Sequence, residues 1–169
     1  LDAAAAQAAR GVVAESDRAP ASEGKGRVVE KKKIVRWSFE AADAGRAYGV
    51  RRDLLTYLQS RAAQGSDLDA AALIFGELVG NVVRHAPGPI AVDIFWDNDI
   101  AVLRVIDRGP GFDWDGNARL PERYAESGRG LFIAYSVARN LRVRRIPGNG
   151  TEATAWLPVL LSEAFKAKI

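Results

Sequence analysis

Four short stretches carry residues that could do chemistry. In Leu73-Ile74-Phe75-Gly76-Glu77-Leu78-Val79-Gly80-Asn81-Val82-Val83-Arg84-His85-Ala86, Glu77 and Asn81 stand four residues apart. In a helix that spacing stacks them on one side, within reach of a common ligand. Asp107-Arg108-Gly109-Pro110-Gly111 places a carboxylate where a β-rich run gives way to glycines. Such a carboxylate can accept a hydrogen bond from a ligand amine while side-chain-free backbone passes close by. Ser127-Gly128-Arg129-Gly130-Leu131 is a pliable turn that opens a helical stretch, and the free N–H groups of a helix start suit phosphate. Gly150-Thr151 begins a last β-rich run. Taken one at a time these are ordinary features: a surface helix, a glycine turn with a solvated Asp, a Gly/Ser helix start.

The elements that must position them follow from periodicity. Leu68, Ala71, Ala72, Phe75, Leu78, Val79, Val82 and Val83 recur at helical spacing and form one apolar face. Counting about 100° per residue, Glu77 and Asn81 fall on the opposite side of that helix. Ser66 or Asp67 can cap it, and Pro87-Gly88-Pro89 ends it. An earlier helix is expected over 44–63, capped by Asp43, with a strand over 34–39 before it. Ile90 to Trp96 and Ile100 to Asp107 read as a hairpin turned at Asp97-Asn98-Asp99. A polar, irregular 112–127 follows, then a helix from Leu131 to about Arg139. A second hairpin joins Leu141–Ile146 to Thr151–Leu157 through Pro147-Gly148-Asn149-Gly150. Helices that precede and interrupt antiparallel strands predict an α+β, two-layer sandwich: a mixed, mostly antiparallel sheet faced by helices.

Composition sets the bounds. The chain has 169 residues, 48% of them hydrophobic, enough to fill a single core. It has no cysteine and one histidine, which excludes disulfides, thiolate metal sites and cysteine nucleophiles. Net charge is +3, with short basic runs at Lys31-Lys32-Lys33 and at Arg142, Arg144 and Arg145. Those runs read as solvated surface, so no direct contact with nucleic acid is expected. No apolar run approaches a membrane span and no signal peptide is visible, so a cytoplasmic location is expected. Residues 1–10 are alanine-rich, and 14–33 turn to Ser, Pro, Gly and charge. The expected layout is an upstream helix tail and flexible linker over 1–33, a compact domain over 34–158, and an amphipathic tail over 159–169. The chain begins at Leu1 without a methionine anywhere, and we expect it to be part of a longer protein. Gly76 and Gly80 inside a helix each cost about 1 kcal/mol relative to alanine, so a close approach by a neighbour or ligand is expected there.

The order of the four stretches is more specific than any one of them. A helix with Glu77 and Asn81, then Asp-x-Gly-x-Gly, a pliable segment, Gly-x-Gly-Leu at a helix start and Gly-Thr on a strand resembles the GHKL ATPases. That superfamily includes gyrase, the 90-kDa heat-shock chaperones, histidine kinases and MutL. The resemblance spans about 34–158. It implies a Bergerat fold with ATP held between the first motif's helix and a lid at 112–127. By it, Asn81 would bind Mg²⁺, Asp107 would accept the adenine amino group, and Thr151 would support it directly or through water. Gly109 and Gly111 match the first glycine box. Ser127, Gly128, Arg129, Gly130 and Leu131 would wrap the phosphates.

Within the superfamily, Glu-Leu-Val-x-Asn-x-x-Arg-His-Ala, the short lid and Ser-Gly-Arg-Gly-Leu look like bacterial anti-sigma factor serine/threonine kinases of the partner-switching type. That likeness implies a STAS-domain antagonist as substrate, a sigma factor or other regulator as partner, and a homodimer. Glu77 would be the general base that takes the serine hydroxyl proton. Two other functions compete. One is the ATP-binding domain of a sensor histidine kinase, whose acceptor histidine would sit on a separate dimerisation helix. The other is a non-catalytic, nucleotide-gated binding module.

Overall fold

The computed structural model describes residues 33–111, 114, 129–148 and 150–167. Residues 1–32 of the expected upstream tail and linker, all of the expected lid except Trp114, and Gly128 lie outside the described residues, Ser127 being the last residue of that lid. The order of elements is β1 (Val35–Glu40), α1 (Ala44–Gln59), α2 (Leu68–His85), β2 (Pro89–Asp97), β3 (Ile100–Ile106), α3 (Arg129–Val137), β4 (Asn140–Arg145), β5 (Thr151–Leu160) and α4 (Glu163–Lys166). The strands form one sheet in the order β1-β2-β3-β5-β4. Every pairing in it is antiparallel, so the mixed sheet allowed by the sequence is realised without a parallel pair among the described strands. Helices cover one face, giving the two-layer α+β sandwich.

Local chemistry explains most boundaries. Asp43 caps α1 by accepting from the Arg46 N–H at 2.9 Å, and Asp67, not Ser66, caps α2 by accepting from Ala70 at 2.8 Å. α1 stops at Gln59, short of the expected Ala63. There, tertiary pairing overrides helix propensity: Ala62 bridges to Leu161, and the Ala63 N–H donates to the Leu160 carbonyl at 2.7 Å. At the other end of α2, Pro87 forbids continuation and holds Ala86 extended, at φ −131° and ψ 95°. β5 continues past the expected Leu157, through Pro158, to Leu160. β4 pairs only as far as Trp156, so the missing N–H of Pro158 breaks no bond to that strand.

The core lies between sheet and helices. From the helices come Val50, Leu54, Leu58, Ile74, Phe75 and Leu78; from the strands, Ile90, Val92, Ile94, Leu103, Val105, Ala155 and Leu157. α2 lies across β3 and β5 and is flanked by α1 and α3. That flanking corrects the helix face read from sequence. Ala70 and Ile74 join the buried arc, whereas Val83 is 38% exposed and Leu68 only half-buried. Asn81 therefore falls between Ala70 and Ile74 around the helix, on the flank of the buried arc and not on its back. The close approach expected at the helix glycines is not made by a neighbouring element among the described residues. Nothing lies within 4 Å of a Cβ placed on Gly76, and Gly80 meets only the Arg84 guanidinium at 3.7 Å.

Candidate functional site

The polar flank of α2 borders a small, partly open cavity of about 20 Å³. Its walls are Leu78, Asn81 and Val82 of α2, Val105 at the end of β3, Asp107 just beyond it, Leu131 of α3, and Thr151 and Ala153 of β5. Asn81, Asp107, Leu131 and Thr151, read separately in the sequence, thus meet in one space. The apolar walls Val105 and Ala153 were not singled out in the sequence. Their signal was ordinary strand alternation, which marks a buried face but not which part of it borders a cavity.

A backbone hydrogen bond ties Asp107 to Thr151. β3 ends at Ile106, and the next N–H, of Asp107, donates to the Thr151 carbonyl at 3.0 Å. Asp107 is 6% exposed and Thr151 5%. Oδ1 of Asp107 accepts from the Gly109 N–H at 2.8 Å, a local turn that fixes the carboxylate plane. Oδ2 has no donor among the described residues. No fully buried side-chain oxygen among the described residues goes without a partner, so Oδ2 keeps some open space beside it, and Asp107 is one of the residues that wall the cavity. A carboxylate oxygen at the wall of a largely apolar cavity is an acceptor waiting for an N–H or O–H.

Two glycines let the backbone close up around this carboxylate. A Cβ at Gly109 would stand 2.5 Å from the Ala86 Cβ, at the very end of α2. A Cβ at Gly150, where φ is +120°, would overlap the Asp107 carbonyl oxygen. Both positions need glycine for contact reasons, and in this they are unlike Gly76.

The second glycine turn serves the other motif residue. α3 begins at Arg129, earlier than the Leu131 expected, so Gly130 sits in its first turn. A Cβ there would lie 2.6 Å from Oε2 of Glu77 and 3.8 Å from the Arg84 guanidinium. Glu77 is half-buried, and its carboxylate lies against Gly130 in the first turn of α3. Arg129 is exposed, and Gly111 lies at the outer end of the first glycine loop. His85 is exposed at the end of α2.

The donor set can be tested for a metal and a nucleotide. Among the described residues no three His, Cys, Asp or Glu side chains cluster as a metal cage. One half-buried Asn amide oxygen suits a Mg²⁺ ion that takes its remaining ligands from phosphates and water. The free Asp107 oxygen suits an amine donor, and the apolar walls suit a flat ring. No helix among the described residues is long and apolar enough to cross a membrane.

A family model described as a histidine kinase-like ATPase domain matches residues 39–156. The sensor protein CseC of Streptomyces coelicolor is 33% identical over 103 residues, covering 48% of this chain and 20% of that protein. The chain thus spans about a fifth of the length of that relative. The Acinetobacter baumannii histidine kinase AdeS aligns with a TM-score of 0.44 at 12% identity, covering 74% of this chain and 68% of that one.

Proposed function

The chain belongs to the histidine kinase-like ATPase family, and from that premise we propose that its cavity binds Mg-ATP and that the protein passes the γ-phosphoryl group to a partner protein. The observation that carries this reading is the meeting of Asn81, Asp107, Leu131 and Thr151 on one cavity. Oδ2 of Asp107 accepts the adenine amino group, with Thr151 beside it. The Asn81 amide oxygen would be one ligand of Mg²⁺, and the first turn of α3, with Arg129 to Leu131, would hold the phosphates. Bound Mg-ATP supplies an activated phosphoryl group with its charge partly neutralised. Glu77, against that same turn, is placed to hold the acceptor's proton.

Two acceptors are supported by different observations. The family's description and the sensor relative favour the ATP-binding catalytic domain of a sensor histidine kinase, with a histidine presented from elsewhere. The Glu-Leu-Val-x-Asn-x-x-Arg-His-Ala motif and the short segment between the glycine boxes favour a serine or threonine on a STAS-domain antagonist. In that second reading the protein is a partner-switching anti-sigma regulator acting in the cytoplasm, with a homodimer and a sigma factor as its other contacts. On present support the first reading is the stronger.

Labelled ATP separates the two. Incubated with a cognate histidine-bearing dimerisation domain and with a cognate STAS protein, the chain should label one of them. Phosphohistidine is lost in acid, whereas phosphoserine survives. Glu77→Gln should keep ATP binding and lose about 10²–10⁴-fold in transfer rate. Full transfer by Glu77→Gln would remove the base assignment. ATP binding with no transfer to either protein would leave a nucleotide-gated binding module.

A further inference from the structure

Arg142, Arg144 and Arg145 read as a solvated basic edge, and the structure gives them three different tasks. Arg142 lies over the Trp156 ring at 5.1 Å. Arg144 pairs with Glu152, its Nε 2.8 Å from Oε1. Arg145 turns to the opposite face of the sheet, as neighbours in a strand do. Its register partner on β5 is Thr151, a wall of the cavity.

From there Arg145 reaches the first glycine loop. Its guanidinium donates to the Pro110 carbonyl at 3.0 Å. Its aliphatic stem lies across Gly111, where a Cβ would meet the Arg145 Cγ at 2.9 Å and the Gly150 carbonyl at 2.7 Å. Gly111 has φ +69°, so the chain bends sharply under that side chain. The loop carrying Asp107 is therefore held at two points. The Asp107 N–H bond to Thr151 fixes its start, and Arg145 fixes its end.

We propose that Arg145 is a positioning residue for nucleotide binding: by strapping the Pro110–Gly111 end of the loop it holds Asp107 in place at the cavity wall. This rests on the nucleotide reading above. The strap itself does not, because it consists of contacts between this chain's own residues. A long side chain that spans from β4 to the loop converts a five-residue turn into a rigid wall, and a preordered wall loses less entropy when a ligand binds.

The test uses the 169-residue chain, with Arg145→Ala, Arg145→Lys and, as a control for surface charge, Arg144→Ala. Amide hydrogen exchange without nucleotide reads the strap directly. Arg145→Ala should speed exchange at Gly109 and Gly111, while Arg144→Ala leaves it unchanged. Equilibrium titration with Mg-ATP should show Arg145→Ala weakened about five- to tenfold at an unchanged unfolding midpoint, with Arg145→Lys recovering part of the loss. Wild-type exchange and affinity in Arg145→Ala would overturn the proposal. If wild type fails to bind Mg-ATP, the nucleotide reading fails, and exchange in Arg145→Ala still decides whether the strap exists.

Discussion

Asp93 lies within β2 and Asp107 just past the end of the neighbouring β3; both are buried carboxylates, and they are satisfied in opposite ways. Asp93, fully buried in β2, accepts from Arg36 Nε at 2.6 Å and Nη2 at 2.8 Å, and from Arg104 Nη2 at 2.6 Å and Nε at 3.0 Å. Burial alone would push its carboxyl up; the hydrogen bonds and charges of Arg36 and Arg104 together outweigh that and hold its pKa below the ordinary value. Among the described residues the Asp107 carboxylate accepts one bond, from a backbone N–H two residues on, and it stands at the wall of a cavity. A saturated carboxylate stabilises a fold and has nothing left for a ligand. A half-satisfied one adds less to stability and keeps an acceptor in reserve.

The largest break in this contrast should come from Asp93→Ala. It strands two guanidinium groups on the outer sheet face, where Arg36 can turn to water but Arg104 is less free. We expect a loss of about 2–4 kcal/mol in denaturant unfolding, below the full cost of breaking a deeply buried pair. Mg-ATP affinity per folded molecule should not change. An unaltered unfolding midpoint would show that the Arg36–Asp93–Arg104 cluster is ornamental.

Gly109→Ala should cost less, about 1–3 kcal/mol, because the new methyl meets the Ala86 Cβ at 2.5 Å in a packed contact. Unlike Asp93→Ala, it should also weaken nucleotide binding, since the displaced loop carries Asp107. Adding Ala86→Gly removes the atom in the way and should return part of both losses. If the double variant is no better than the single, the contact is not the cause.

The smallest effect is on acid stability. Because the folded-state pKa of Asp93 is lowered, its contribution is present above the unfolded value of about 3.9 and is lost as pH falls through the folded value. Arg36→Ala removes one of the two groups holding that pKa down. Acid unfolding should then begin at a higher pH than in wild type. A coincident acid transition in the two proteins would mean that Arg104 alone sets the ionisation.

Sequence made one of these carboxylates visible and hid the other. Asp107 stands before glycines at the end of an apolar run, so its surroundings are encoded within five residues. Asp93 sits at an outward position of β2, where alternation reads as solvent. Its partners lie 57 and 11 residues away, and only the registers Arg36↔Asp93 and Asp93↔Arg104 bring them together. The caps at Asp43 and Asp67, the hairpin turn at Asn98 and the order of strands and helices were local signals and were legible. The end of α1, the passage of β5 through Pro158 and the rotation of the α2 face depend on what packs alongside. So does the reach of Arg145 to Pro110, since a strand arginine carries no mark of the loop it will meet.

Calorimetric titration of Mg-ATP into wild type and Asp107→Asn, each with its unfolding midpoint measured in parallel, tests the site most directly. Asn can still accept from the Gly109 N–H, so the midpoint should move little. Its amide nitrogen would face the cavity in place of an acceptor, and affinity should fall about 10- to 100-fold. Wild-type affinity in Asp107→Asn would contradict the claim that this free carboxylate oxygen is the group that recognises the nucleotide.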